Sequence, residues 1–220
     1  PFPEDVVDLG LERLQEGLRK VSKGKFGQTK ATTLFEAAES SIGIGEGKKG
    51  LLLEIKYLVS GIERESEFID QIEKQMSHYL KQIPYSQSIL SIKGIGEVTV
   101  AGLIGEVGDF KQFRRIPEIM KLAGLDLYEI SSGKHKGQRH ISKRGRAHLR
   151  KLLFFVTINT IRTNGIMHGK YLTMVNRGVP KVKAIVAISR KLLRIIFSLA
   201  CNNTTYRENY DQLNIVKIAA

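Results

Sequence analysis

The chain has 220 residues, of which 42% are apolar and 26% charged, the balance of a globular protein that buries a sizeable core. It has no run of about 18 uncharged apolar residues and one cysteine, Cys201, which argues against a membrane-spanning helix, a disulfide framework and a cysteine-built zinc site. We expect a cytoplasmic protein. Because the chain begins with Pro1 and not Met, we also expect a piece of a longer one.

The formal net charge of +13 comes from the second half of the chain. Residues 1–129 carry 17 Lys or Arg against 20 Asp or Glu, whereas residues 130–207 carry 17 Lys or Arg and no acid. A surface of one sign normally faces a polyanion, and nucleic acid is the first candidate. An anionic membrane surface is the weaker alternative, because the bases are spread through segments with structured patterns.

The first half predicts helices. Residues 4–21 have apolar side chains at helical spacing, and the sequence SKGKFG then breaks the pattern. Residues 28–41 predict a second helix, and the glycine-rich residues 42–50 predict a loop.

A longer helix follows, over residues 52–83. Positions spaced alternately three and four apart form an apolar seam that two polar residues, Ser66 and Glu73, interrupt near its middle. The seam spans about four heptads, or roughly 48 Å at 1.5 Å per residue, and Pro84 ends it. We predict that it pairs in a homo-oligomer, although a long helix inside a bundle has the same pattern.

The remaining apolar segments are also helical in spacing, and alternating strand patterns are scarce. The predicted fold is therefore mainly α, with a long coiled-coil-like helix leading into a compact helical domain. We predict a helical connector at 1–45, the long helix at 46–84 and the basic domain at 85–220. The alternative for residues 1–45 is the end of a truncated domain.

A glycine turn opens the basic domain, between the segments SIK and EVTVAGLIGEV. Gly94 and Gly96 stand two positions apart and the small residue Ala101 follows at a spacing that resembles the helix-hairpin-helix motif. Two glycines let the chain turn sharply and bring N–H groups at a helix N-terminus against a phosphate. We predict that Lys93, Gly94 and Gly96 contact a nucleic-acid backbone, but an ordinary tight turn has the same pattern.

A basic, glycine-rich loop comes next, with the sequence YEISSGKHKGQRHISKRGRAHLRKLL, and a helix begins at about Arg146. A serine hydroxyl is a weak nucleophile that needs a base or cations to stabilise the developing negative charge. The loop offers Ser131 or Ser132 such cations: Lys134, Lys136, Arg139, Lys143, Arg144 and Arg150. A second interpretation stays open, in which the basic loop holds a DNA backbone and the serines only cap a turn.

These segments, in this order, closely resemble the C-terminal transposase domain of the insertion-sequence one-ten family. The likeness runs from about residue 4 to 207 and is strongest from 90 to 155, where the glycine turn, the Ser-Gly loop and the sequence ISKRG occur in the family's order. The resemblance implies a DEDD-type transposase, an enzyme of a prokaryotic mobile element that acts at the nucleoid and is guided by a bridge RNA.

In that family a RuvC-like domain with four acids, which uses Mg²⁺, precedes a helical connector and the serine domain. The resemblance implies that a serine forms a covalent phosphoserine intermediate with DNA; we match it to Ser132, with Ser131 as the alternative. The four-acid domain is absent from these residues, unless residues 1–45 are its last helices. We therefore expect Mg²⁺ to bind elsewhere and this piece to be inactive alone. We predict no metal site here, and nucleic-acid contacts at Lys93, Gly94, Gly96, Lys134, Lys136, Arg139, Lys143, Arg144, Arg146 and Arg150.

Two alternatives remain. A noncatalytic helix-hairpin-helix scaffold would bind DNA with the same turn and the same bases. A tyrosine recombinase needs a His-x-x-Lys motif followed by a tyrosine on a late helix. His148 to Lys151, followed by Tyr206 or Tyr210, can be matched to this order. Neither the target sequence nor the guide RNA can be read from the chain, since backbone contacts carry no sequence information.

Overall fold

The computed structural model describes residues 2–42, 46–129, 137 and 139–208. The predicted mainly α fold with one long helix is confirmed. The described helices and strands are α1 (Pro3–Leu9), α2 (Leu11–Val21), α3 (Gln28–Glu39), α4 (Lys48–Gln82), α5 (Ser86–Leu90), α6 (Glu97–Val107), α7 (Ile116–Leu122), β1 (Leu127–Glu129), β2 (Arg139–Ile141), α8 (Ala147–Ile161), α9 (His168–Asn176) and α10 (Lys181–Asn202), with a 3₁₀ turn at Phe110–Gln112.

The chain divides into two units, an N-terminal unit of residues 1–69 and a C-terminal unit of residues 70–220. In the N-terminal unit α1, α2 and α3 pack together and bury Leu14 and Ala31. Lys48, in the first turn of α4, pairs with Glu4 of α1 at 2.6 Å between Nζ and Oε1. The single helix predicted for residues 4–21 is wrong in one respect, since the helix breaks at Gly10 into α1 and α2.

Helix α4 carries the predicted seam and ends at Gln82, two residues before Pro84. Within the N-terminal unit the apolar seam residues are largely exposed: Ile62 is 67% and Ile69 54% accessible. Exposed apolar side chains at coiled-coil spacing leave a surface that another helix could cover.

The core of the C-terminal unit surrounds α10. This helix packs against α5, α7, α8 and α9 and buries nine of its residues, including Leu192, Leu193 and Ile196. The buried hydroxyl groups of Ser189 in α10 and Thr157 in α8 lie 2.8 Å apart, and each is also within hydrogen-bond distance of a backbone oxygen of its own helix. The packed core around α10 therefore supports the segments that carry the candidate site.

Among the described residues, no helix is long and apolar enough to cross a membrane.

Candidate nucleic-acid interface

The basic loop of the sequence contains a short hairpin. Strands β1 and β2 are antiparallel, pairing Leu127 with Ile141, Tyr128 with His140 and Glu129 with Arg139. The pairing continues below the strands, because Ser142 N donates to Asp126 O at 2.9 Å and Lys143 N donates to Gly124 O at 3.0 Å. The Ser142 hydroxyl also donates to the Asp126 carboxylate. Three-residue strands are too short to show an alternating pattern, which is why the sequence predicts only a loop.

The base of this hairpin is a close crossing of two backbones. Gly124 has a φ of +62°, and a Cβ atom there would lie 2.6 Å from Gly145 N and 2.8 Å from Arg150 Nη1. A Cβ atom on Gly145 would overlap the backbone of Gly124 and of Leu122. The Arg146 N–H donates to Leu122 O at 2.7 Å across the same crossing. Glycine at both positions therefore lets the hairpin be fixed directly to the start of α8.

The predicted nucleophiles and two predicted cations lie outside the described residues: Ser131, Ser132, Lys134 and Lys136. In the chain they stand between Glu129, the last residue of β1, and Arg139, the first residue of β2.

Residues 130–207 contain no acid, but acidic side chains from earlier in the chain pair with some of their basic side chains. Glu129 Oε2 accepts from Arg139 Nε at 3.0 Å. Glu106 of α6 lies 3.0 Å from His148 Nδ1 and 3.9 Å from Arg146 Nη1, and its backbone oxygen also accepts from Arg146. Part of the positive charge is therefore neutralised inside the protein. Sequence reasoning misses these acids because up to 42 positions separate the partners.

The predicted basic contacts divide by environment. Arg150 is half-buried and its Nη1 donates to Ala123 O at 3.0 Å, so this side chain braces the hairpin base. By contrast, Lys93, Lys143 and Arg144 are exposed, and in the described part of the chain none of their side chains has an ion-pair partner. Exposed cations of this kind can bind phosphates without first losing a bond inside the protein.

The glycine turn joins α5 to α6. Gly94 has a φ of +97°, Gly96 is the N-cap of α6, and Ile95 between them is buried. No side chain caps α6, so its first N–H groups lack a side-chain partner among the described residues, and the helix begins at Glu97, four positions after Lys93 in the chain. This geometry suits a phosphate, although the carboxylate of Glu97 in the first helical turn opposes one.

In the described ranges, no three His, Cys, Asp or Glu residues lie close enough together to hold a metal ion.

Comparison with known proteins finds similarity to transposases and to a pilin gene-inverting protein. Residues 86–172 match the model of the transposase IS116/IS110/IS902 family, and they include the glycine turn, both strands and α8. The resemblance seen in the sequence agrees with this match, which covers residues 86–172 and not the whole chain.

Individual relatives agree with this match. An uncharacterised 43.6 kDa protein of insertion element IS110 from Streptomyces coelicolor is 23% identical over 93% of this chain and 50% of its own length. The transposase of IS1111A from Coxiella burnetii is 27% identical over 77% of this chain and 47% of its own. The pilin gene-inverting protein of Moraxella lacunata is 29% identical over 68% and 48%, respectively. The chain spans about half the length of these curated relatives.

Proposed function

We propose that this chain is the connector and serine domain of a site-specific DNA recombinase that acts as a transposase. One observation carries the proposal. Within the family-matched segment, two adjacent serines stand in the chain between β1 and β2, and these paired strands are fixed to a strongly basic helical unit. A nucleophile needs such a fixed support if it is to meet a phosphate in one geometry.

The chemistry is transesterification. The hydroxyl oxygen of Ser132, or of Ser131 in the alternative, attacks a DNA phosphodiester, so that a Ser O–P bond forms while a sugar oxygen leaves and takes up a proton. The serine proton passes to a general base. The covalent phosphoserine conserves the bond energy, and a sugar hydroxyl of another strand then displaces the serine to complete strand exchange.

Exposed cations would hold the DNA beside that serine. Lys143 and Arg144 follow β2, and the N–H groups at the start of α6 come soon after Lys93 in the chain. Contacts of this type fix the backbone position but do not read bases, so we propose that a guide RNA selects the target by base pairing.

Magnesium would belong to another part of the protein. The described residues contain no carboxylate cluster that fits Mg²⁺, and the three acids nearest the hairpin, Glu106, Asp126 and Glu129, already bond to protein groups. We propose that a RuvC-like domain with four acids supplies the metal and that this chain alone binds DNA without cleaving it.

The seam of α4 would bring two copies together. Its exposed residues, such as Ile62 and Ile69, would be buried if the same helix of a second chain packed against them. A homo-oligomer would also place more than one serine on the DNA strands that must be exchanged.

A covalent adduct tests the mechanism. The full-length protein, incubated with Mg²⁺, guide RNA and labelled DNA, is expected to give a protein–DNA adduct that survives denaturation. Ser132→Ala should abolish the adduct while DNA affinity changes less than about twofold, since one hydroxyl adds little to an interface of many phosphate contacts.

Each other outcome has a distinct meaning. Loss of the adduct in Ser131→Ala but not in Ser132→Ala would move the role by one residue. Persistence in both variants with loss in Tyr206→Phe would refute a serine mechanism. If the protein binds nucleic acid but never forms an adduct, the chain is a noncatalytic scaffold.

A further inference from the structure

Helix α10 carries a second concentration of positive charge, later in the chain than the basic loop. Its cations include Arg190, Lys191 and Arg194, and α10 contains no acid. Together with Ala187, Ile195 and Ser198 they line a cavity of about 330 Å³ that is open to solvent.

Arg190 is held in an unfavourable environment. Its Nε is buried and, in the described part of the chain, has no hydrogen-bond partner. A buried donor left unpaired destabilises the folded state, and proteins rarely contain one without a reason. Burial lowers the pKa of Arg190 and the charge of Arg194 lowers it further, while Asp126 acts in the opposite direction.

Arg194 makes this environment more positive. It lies one helical turn after Arg190, and like charges at this spacing destabilise a helix. Arg194 is exposed, and no carboxylate pairs with either arginine within the described ranges. Two guanidinium groups one helical turn apart, neither of them in an ion pair within the described ranges, form a site that an anion would stabilise.

Ser198 adds a hydroxyl group to the same cavity. Its Oγ accepts from Asn202 Nδ2 at 3.3 Å, which leaves the hydroxyl hydrogen to donate. Two guanidinium forks and one hydroxyl donor are the groups that bind the oxygens of a phosphodiester.

The strip also adjoins the base of the hairpin. On the neighbouring side of α10, Val186 and Ser189 line a groove of about 300 Å³. Leu125, which precedes β1, and Ile141, the last residue of β2, line the same groove. Arg190 follows Ser189 directly, and the negative charge of Asp126 acts to raise its pKa. A strand held at the hairpin could therefore continue over α10.

We propose that Arg190 and Arg194, with Ser198, form a phosphate-binding site on α10 for the backbone of a nucleic-acid strand that passes the β1–β2 hairpin. The choice of a nucleic acid as ligand rests on the function proposed above. DNA and guide RNA share the phosphodiester, so the experiment includes both.

The first experiment measures binding of the 220-residue chain to a fluorescent duplex DNA, a single-stranded DNA and an RNA of the same sequence between about 50 and 200 mM KCl, a fourfold range of salt concentration. Each arginine that contacts a phosphate should contribute about 0.9 to the log–log salt slope on duplex DNA. Arg194→Gln should therefore reduce the slope by about 0.9 and Arg190→Gln/Arg194→Gln by about 1.8, and Arg194→Lys should keep most of it. The probe with the largest loss identifies the strand.

Arg19→Gln in α2 and Arg177→Gln after α9 are the matched controls, since both side chains are exposed and lose the same charge. Arg194 is exposed, so its variant should fold normally even if the substitution of Arg190 does not. If the wild type binds with strong salt dependence and the Arg194→Gln slope equals that of the controls, the α10 site is refuted while the proposed function survives.

A second experiment does not depend on nucleic-acid binding. The Nε–Hε resonances of Arg190 and Arg194 are followed by NMR while inorganic phosphate replaces chloride at constant ionic strength. Both resonances should shift in a saturable way and that of Arg177 should not. The absence of a saturable shift at Arg190 and Arg194 overturns the proposal, whatever the chain binds.

Discussion

The two units of the chain differ in charge and in burial. Residues 1–69 carry 10 Lys or Arg against 12 Asp or Glu, whereas residues 70–220 carry 25 against 10. The buried apolar residues of the N-terminal unit are Leu14 and Ala31 among the positions described, while the core of the C-terminal unit runs from Leu80 to Ala200. One unit thus has excess apolar surface and the other has excess positive charge.

The difference indicates two kinds of partner. Exposed apolar residues at coiled-coil spacing are stabilised by another helix, and a basic surface on a rigid core is stabilised by a polyanion. The C-terminal unit can keep its cations close together because its core, centred on α10, holds the helices in place. The following substitutions test this contrast.

The largest expected effect is on the core. Leu192→Ala, at a fully buried position of α10, should lower the free energy of unfolding by about 3–4 kcal/mol through the cavity that it leaves. Leu53→Ala in α4 should change it by less than about 0.5 kcal/mol, since Leu53 is 69% exposed. Urea denaturation followed by circular dichroism measures both, and equal effects would contradict the contrast between the units.

The crossing beneath the hairpin gives the next effect. Gly145→Ala places a Cβ atom against the backbone of Gly124 and should cost about 2–3 kcal/mol. Gly105→Ala in α6 has open space around its Cβ and should stabilise the protein by about 0.5–1 kcal/mol. Thermal unfolding of the two variants distinguishes them by sign; a stable Gly145→Ala protein would show that the crossing is not close.

The seam should respond to charge. Ile62→Lys with Ile69→Lys puts two charges into the apolar stripe and should weaken self-association at least about tenfold in sedimentation, the equivalent of roughly 1.4 kcal/mol. Ser60→Lys with Gln71→Lys adds the same charges to exposed positions off the seam and should have little effect. If the wild type is monomeric at high concentration, the seam does not pair with its own copy and packs against a different helix.

The smallest effect concerns Cys201. Burial raises the pKa of its thiol, with a smaller contribution from Asp109, so less of it is thiolate at any pH than in an unfolded chain. Alkylation by iodoacetamide should be slower than in urea-unfolded protein, and its midpoint should lie at higher pH. The stability that this shift contributes is present below the unfolded pKa and is lost as pH rises through the folded value. Equal rates in both states would show that the thiol is not protected.

Sequence patterns predict most of the helical architecture because it depends on local spacing. The segment EVTVAGLIGEV is α6 from its first residue to its last, and Pro84 marks the end of α4 closely. The break at Gly10 escapes the pattern, since the apolar spacing continues across it.

The candidate site is less predictable because its contacts are not local. Glu106 meets Arg146 and His148 only through the packing of α6 on α8, and the sequence gives no sign of that pairing. The crossing of Gly124 and Gly145 is visible in hindsight as two glycines that flank the basic loop. The predicted serines lie outside the described residues, so their role stays a prediction.

The salt dependence of DNA binding tests the central claim most directly, namely that the basic C-terminal unit faces a nucleic acid. With about six phosphates neutralised, the log–log slope of the wild-type chain should be about −4 to −5. Removing three exposed cations of that unit, by Lys93→Gln, Lys143→Gln and Arg144→Gln, should reduce its magnitude by up to about 2.7. The same change in the N-terminal unit, by Arg13→Gln, Arg19→Gln and Lys20→Gln, should leave it nearly unchanged. A wild-type slope near zero, or equal losses in the two triple variants, would contradict the account.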